Sequence, residues 1–468
     1  MLLRLLTYSL LLLSIAQVKA QTSLPTFFSD SMVMQQQSNA AIWGTDAPNS
    51  KIVVKASWGK RIETTCNNNG KWKVNIPTPI AGGPYRIEIK GKSKVVLNNI
   101  LIGEVWLCSG QSNMEMTVRG NNNQPIIGNN ETILQSTNQS IRVFQTQRNF
   151  SRTAAEDTKG KWSTACPTNT GNFSAVAYFF AKKIHSVLGI PVGIIQTSWG
   201  NSIIESWMDS ATLASFKPVK ISNNASMKDA NQTHTMLYNS MIHPFVGFTI
   251  KGMLWYQGES NQNNAKDYSS LLKLTVDSWR NQWQQGLFPF YYVQIAPHAG
   301  TVGTLSNALL REAQMKSLNI IENSGMAITM DVGEQNMVHP AQKEIVGTRL
   351  AYWAFAKEYK IQGIEHSGPI FKQIEKIVND SIVVSFDYAN LGLTTFGKPL
   401  SDFEIAGEDK VFYPAKAMFT RGCKNCITVW NEDVKNPISV RYAFKNWVQG
   451  SLYNTQALPA SSFRTDTW

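Results

Sequence analysis

A chain of 468 residues is longer than one hydrophobic core ordinarily organises, so two or three folded units are expected. Hydrophobic residues at 43% and charged residues at 16% exclude a disordered chain. The net charge of +12 comes from lysines and arginines scattered without a block of like sign and without a nucleic-acid-binding motif, which describes a basic, solvated surface with some attraction for acidic glycans.

Residues 1–20, "MLLRLLTYSLLLLSIAQVKA", read as a secretory leader: Arg4 supplies the positive end, residues 5–15 the apolar stretch, and Val18-Lys19-Ala20 the cleavage site. The expectation is an exported chain, periplasmic or extracellular, starting near Gln21. No later apolar run is long enough to span a bilayer. Residues 21–100 carry short strand-like segments (41–44, 52–56, 85–89) between Gly, Asn, Pro and Ser clusters, the spacing of a β-sandwich or jelly roll. From 101 to 365 the texture changes. Apolar runs at 104–108, 192–197, 253–256, 291–295 and 326–330 alternate with helical segments at 175–187, 268–283, 306–317 and 341–357. Continuous apolar runs between amphipathic helices indicate a parallel sheet with helices on both faces, an α/β fold. Residues 366–468 return to β texture in "DSIVVSFDYA", "CITVWNE" and "PISVRYAF". Of the five cysteines, Cys108 lies in an apolar run as a buried small hydrophobe, and Cys423 and Cys426 form a disulfide across a tight hairpin or stay as two thiols, since no second pair completes a zinc site. Sequons at Asn130, Asn149 and Asn172 matter only if the secretory route glycosylates them.

In open α/β sheets, ligands bind beyond the carboxyl ends of the strands, so the residues following each run are the candidates. The first run ends in "CSGQSNMEM". Ser112 is read either as a nucleophile or as a helix N-cap; the Gly-x-Ser-x-Gly elbow is absent because Met114 holds its last position. The second run ends in "SWGNSIIESW", where Gly200 lets a backbone N–H approach a ligand and the alternative is a plain turn. The third ends in "QGESN", where Gln257 can donate to an oxyanion and Glu259 can orient a histidine, or both are a polar loop. The fifth ends in "DVGEQNMVHP". Among six histidines, His339 is best situated as a base, with His243 and His298 weaker rivals, His185 structural, and His234 and His366 in polar linkers.

"GEVWLCSGQSNMEM", "WGNSIIESW", "WYQGES", "LREAQ" and "VHPAQKEIVGTRLA" together resemble the sialate O-acetylesterase family of SGNH-type hydrolases, and are similar to bacterial acetylxylan esterases of the same plan. The resemblance runs from about Asp30 to "LPASSFRTD". It implies a flavodoxin-like catalytic unit joined to β-sandwich parts, with no cofactor or metal, cutting acetyl esters from sugars. It also implies Ser112 as nucleophile, His339 as base, and the Ser112 N–H, Gly200 and Gln257 as the oxyanion hole. Two positions depart from the pattern. Asn201 stands where a second glycine is usual, and could narrow the site or supply a donor. Asn336 and Met337 stand where an aspartate is usual, so the acidic partner of His339 is Glu259 first, then Asp331 or Glu334, or no carboxylate at all. An acetylated sugar is the expected partner, acidic or xylan-type, and a non-catalytic glycan-binding protein is the alternative from another class.

Overall fold

The structure is a computed structural model and describes residues 21–220, 226–300 and 303–468; the expected leader lies outside the described residues. The amino-terminal part contributes strands β1 (Val33–Gln35), β2 (Asn39–Thr45), β3 (Lys51–Ala56), β4 (Lys60–Thr65), β5 (Lys71–Pro77), β6 (Gly82–Lys90) and β7 (Lys94–Gly110). Strand β7 is the spine of the molecule. Its first half pairs antiparallel with β6, from Lys94 to Ile102. Its second half pairs parallel with β10 (Val192–Ser198) on one side and β11 (Gly252–Tyr256) on the other. The amino-terminal β layers and the parallel sheet therefore share a strand that runs through residue 100 without a break.

The parallel sheet continues through β8 (Asn138–Thr146), β12 (Phe290–Val293) and β13 (Ser324–Ala327), with β9 (Gly160–Ala165) antiparallel at one edge; the order is β13-β12-β11-β7-β10-β8-β9. Alternation explains the unbroken apolar runs. Trp106, Cys108, Leu254, Tyr256, Tyr291 and Val293 face one side, packing with Phe180, Val346 and Leu350 of helices α4 (Ala175–Leu188) and α8 (Lys343–Lys357). Their neighbours Leu107, Met253, Trp255, Phe290 and Tyr292 face the other, packing with Leu271, Trp279 and Leu310 of α6 (Ala265–Trp283) and α7 (Ser306–Ile320). A strand covered on both faces has no position at which a polar residue is cheap.

The carboxyl-terminal part forms a seven-stranded antiparallel sheet with edges at Ile370–Val378 and Phe463–Arg464. It is fastened to α7: Arg464 pairs with both oxygens of Glu312, and the Ser462 hydroxyl accepts from the buried Arg311 guanidinium at 3.2 Å. Cys423 and Cys426 are joined as a disulfide, while Cys66 and Cys108 are buried thiols and Cys166 is half-buried. No described helix is long and apolar enough to cross a membrane.

Candidate active site

The chain makes β7, then β8 and β10 to one side of it, then β11 to β13 on the other. Beyond the carboxyl end of β7 the crossovers diverge and leave a crevice, and Ser112 is the second residue after that end. Gly110 closes β7 at φ +140°, and a Cβ there would lie 2.1 Å from the Tyr256 carbonyl oxygen of β11, so only glycine permits the approach. The Gln111 N–H then donates to that same oxygen (2.9 Å), and the Trp199 N–H donates to the Gly110 carbonyl (3.0 Å). The Gln111 side chain accepts from the Gly258 N–H at 3.1 Å. The ends of three strands are thus stitched together around one turn, and a one-turn helix α1 (Ser112–Glu115) springs from it. The Ser112 hydroxyl caps nothing, because the residue is already helical and Gln111 holds the cap position.

His339 arrives from the loop between β13 and α8, and its Nε2 is 2.7 Å from Ser112 Oγ. Its Nδ1 meets the side-chain oxygen of Gln124. An amide oxygen can only accept, so Nδ1 carries the proton and Nε2 presents a lone pair to the serine hydroxyl. Burial first, then the nearby positive charge of Lys343, push the His339 pKa down to about 4, which keeps the imidazole neutral at physiological pH. A hydroxyl facing a neutral imidazole in this tautomer can lose its proton as it attacks.

The carboxylates expected beside His339 are elsewhere. Asp331 makes a paired contact with the Arg349 guanidinium (2.7 and 2.6 Å), and Glu334 accepts from the Ala341 N–H (2.9 Å); both brace the loop that carries His339. Glu259 is half-buried at the wall of the cavity that also holds Ser112 and His339, and it bonds the Asn113 side-chain amide; burial raises its pKa. Asn113 is the hub beneath the pair. Its amide nitrogen also donates to the Val338 carbonyl (3.0 Å), next to His339, and its oxygen accepts from the buried ammonium of Lys343. Burial brings that lysine down to about 7.

The expected oxyanion donors are only partly available. Gln257 has no exposed surface. Its amide nitrogen donates to the Ser202 carbonyl (2.9 Å) and Asn261 Oδ1 (2.7 Å), and its oxygen accepts from the Tyr268 hydroxyl (2.8 Å), so the side chain is used up inside the protein. The Gly200 N–H points to Glu115 Oε2 at 2.8 Å, and Arg148 clasps that carboxylate with two bonds of 2.6 Å. The Ser112 N–H has no acceptor among the described residues. Asn201, at φ +57°, takes a bond from Ser260 on its side-chain oxygen (3.3 Å), while its amide nitrogen has no partner among the described residues.

Ser112, His339, Gly200, Asn201, Arg148 and His298 line one open cavity of about 1210 Å³. The other four histidines lie outside it: the rings of His185 and His243 bond the carbonyls of Ile190 and Ala155, His234 accepts from the Lys220 N–H, and His366 packs on Trp353 and Tyr388. Asn113 and Lys343 lie inside motifs that do not by themselves reveal a role, and Gln124 lies outside every motif. Gln124 sits in the polar loop "GNNNQP", and only its side-chain contact reveals it.

Residues 102–355, more than half of the chain, match the family described as carbohydrate esterase, sialic acid-specific acetylesterase. The chain belongs to that family. It is a carbohydrate esterase, and it resembles members over nearly its whole length. Human sialate O-acetylesterase is 26% identical over 482 residues, which cover 94% of this chain and 91% of the human one. The mouse sialate O-acetylesterase is 26% identical over 547 residues, 97% of each chain. The crystal structure of a carbohydrate acetylesterase from Xanthomonas citri is 34% identical, covers 96% of this chain and 100% of its own, and superposes with a TM-score of 0.88.

Proposed function

We propose that this esterase is a serine-dependent O-acetylesterase that releases acetate from O-acetylated sialic acids, working through Ser112 and His339 on an SGNH-type, flavodoxin-like scaffold. The carrying observation is the 2.7 Å contact between Ser112 Oγ and a neutral His339 Nε2 at the crevice beside β7. Apart from β8, which lies outside β10, the strand order β10-β7-β11-β12-β13 is that of a flavodoxin-like sheet and supports this reading. Membership of the sialic acid-specific family supports the substrate class.

In the reaction, Ser112 Oγ bonds to the acetyl carbonyl carbon and its proton passes to His339 Nε2. The carbonyl π electrons move to oxygen. That oxyanion rests against the Ser112 N–H, with the free amide of Asn201 as the second donor in place of Gln257. Collapse breaks the bond to the sugar oxygen, which leaves with the proton from Nε2. Water then attacks the acetyl-serine, again giving its proton to His339, and acetate departs as Ser112 Oγ recovers the proton. Ser112→Ala is expected to lower acetate release from an O-acetylated sialic acid by about 10⁴-fold or more. Retention of the wild-type rate would refute the reading, and faster turnover of acetylated xylan would redirect the substrate.

We also infer export through residues 1–20. The Cys423–Cys426 disulfide suits an oxidising compartment. Amino-terminal sequencing of the secreted protein should begin near Gln21.

A further inference from the structure

A second imidazole belongs to the substrate cavity and takes no part in the proton transfer just described. His298 stands five residues beyond the end of β12, on the same carboxyl edge of the sheet as Ser112. Its main chain is held from both sides: the N–H donates to the Asn446 carbonyl (3.1 Å) and its carbonyl accepts from Asn307 Nδ2 (3.0 Å). The residue is only 5% exposed and lines the cavity with His339; its Nε2 is buried without a partner among the described residues, and no described residue bonds its Nδ1, the nitrogen left for the cavity. Leaving a buried donor or acceptor such as this Nε2 unpaired costs roughly 1–3 kcal/mol. A rigidly anchored ring kept unpaired beside a catalytic pair is arranged for something that arrives with the ligand.

We propose that His298 is a binding residue for the sugar, hydrogen-bonding a hydroxyl of the substrate's polyol or ring next to the acetyl ester. This rests on the esterase reading given above. A hydroxyl matches a neutral imidazole, since it both donates and accepts. The ring is neutral because burial first, and then the charge of Arg311 behind it, bring its pKa down to about 4. An anionic group is the poorer match, because the neutral ring offers it a single donor and no charge.

The test compares two esters in the full-length protein. On an O-acetylated sialic acid, His298→Ala is expected to lower kcat/KM by about tenfold to a hundredfold, the range of a lost neutral hydrogen bond at a buried site, with most of the change in KM. On 4-nitrophenyl acetate, which carries no hydroxyl, the loss should be at least ten times smaller. His298→Asn, which keeps a donor and an acceptor, should recover part of the sugar activity, and its melting temperature separates binding from folding. Equal losses on both esters, or no loss on the sugar, would overturn the proposal. Wild-type protein that hydrolyses the aryl ester but no acetylated sugar would instead overturn the parent reading, and this one with it.

Discussion

His339 Nδ1 donates to the side-chain oxygen of Gln124, an uncharged residue, where a serine triad ordinarily has a carboxylate. The amide holds the tautomer and the ring plane but stabilises the imidazolium that forms during attack less than a carboxylate would. Its consequence is readable in pH. With the His339 pKa depressed to about 4 by burial, the base is neutral above that value, so kcat/KM should lose activity on the acid side near pH 4 and not near the ordinary histidine value of about 6.5. Gln124→Glu adds a negative charge at Nδ1, favours the protonated ring, and should move that acid limb upward by about one to three pH units. Gln124→Leu removes the tautomer lock and should lower kcat by about tenfold to a hundredfold, less than the ~10⁴ lost when a triad is forced into the wrong tautomer. A limb that stays fixed in Gln124→Glu would show that Nδ1 is oriented by another group.

The clasp formed by Arg148, Glu115 and the Gly200 N–H makes a separate prediction. Glu115 orients the turn beside Ser112, and its charge is balanced by Arg148. Glu115→Gln keeps an acceptor for the N–H and should stay within about threefold of wild type. Glu115→Ala leaves the Gly200 N–H and the guanidinium unpaired and should cost about tenfold or more in kcat. A faster Glu115→Ala enzyme would mean that the carboxylate occupies a place the oxyanion needs, which assigns the Gly200 N–H to the hole after all.

Gly200 lies close against Ser112, the proposed nucleophile. A Cβ there would stand 3.3 Å from Ser112 Cβ and 3.1 Å from Glu115 Oε2, each tighter than ordinary packing by a few tenths of an ångström. Gly200→Ala should therefore fold with little change in melting temperature but lose about tenfold in kcat, because small displacements of the attacking atom are costly. An unchanged kcat would show that the turn yields without moving Ser112.

Much of this was legible in the sequence, for a physical reason. A strand buried on both faces must be apolar throughout, so the runs at 104–108, 192–197 and 253–256 stand out and lie within β7, β10 and β11. The meeting of Ser112 and His339 was legible because loops that follow parallel strands gather on one edge of the sheet. Strands β8 and β9 were not, since β8 begins and ends on polar residues and β9 is a mixed strand at the sheet's edge. The amino-terminal boundary was blurred in a different way: composition changes at residue 100, but β7 passes through it. The partner of His339 was illegible because three acids in nearby motifs compete on paper, and only coordinates reveal that Arg349, the Ala341 N–H and Asn113 have taken them. The Gln257 side chain was misassigned on the same ground: a strand-end position does not say which way an amide turns.

The buried charges under the site allow a stability test of that arrangement. Asn113, with no exposed surface, bridges Glu259 and Lys343, and Glu259 Oε2 has no partner of its own. Removing one member of a buried charged set usually costs about 3–5 kcal/mol, because the other is left uncompensated, whereas replacing both is often neutral. Lys343→Met should thus destabilise by about 3 kcal/mol, and Glu259→Gln combined with Lys343→Met should recover most of it. The lysine also leaves a pH signature. Its pKa in the folded protein is about 7, against about 10.4 when unfolded, so between those values the unfolded chain binds more protons than the native one. Stability then rises with pH across that window, an increment that Lys343→Met should abolish. Glu259, whose pKa is raised by burial, acts in the opposite sense, losing stability as pH climbs from the ordinary carboxylate range through its folded value. Urea midpoints at pH 7 and pH 9 for the wild type and both variants distinguish the cases. A double variant no more stable than Lys343→Met alone would show that the two charges do not compensate each other through Asn113.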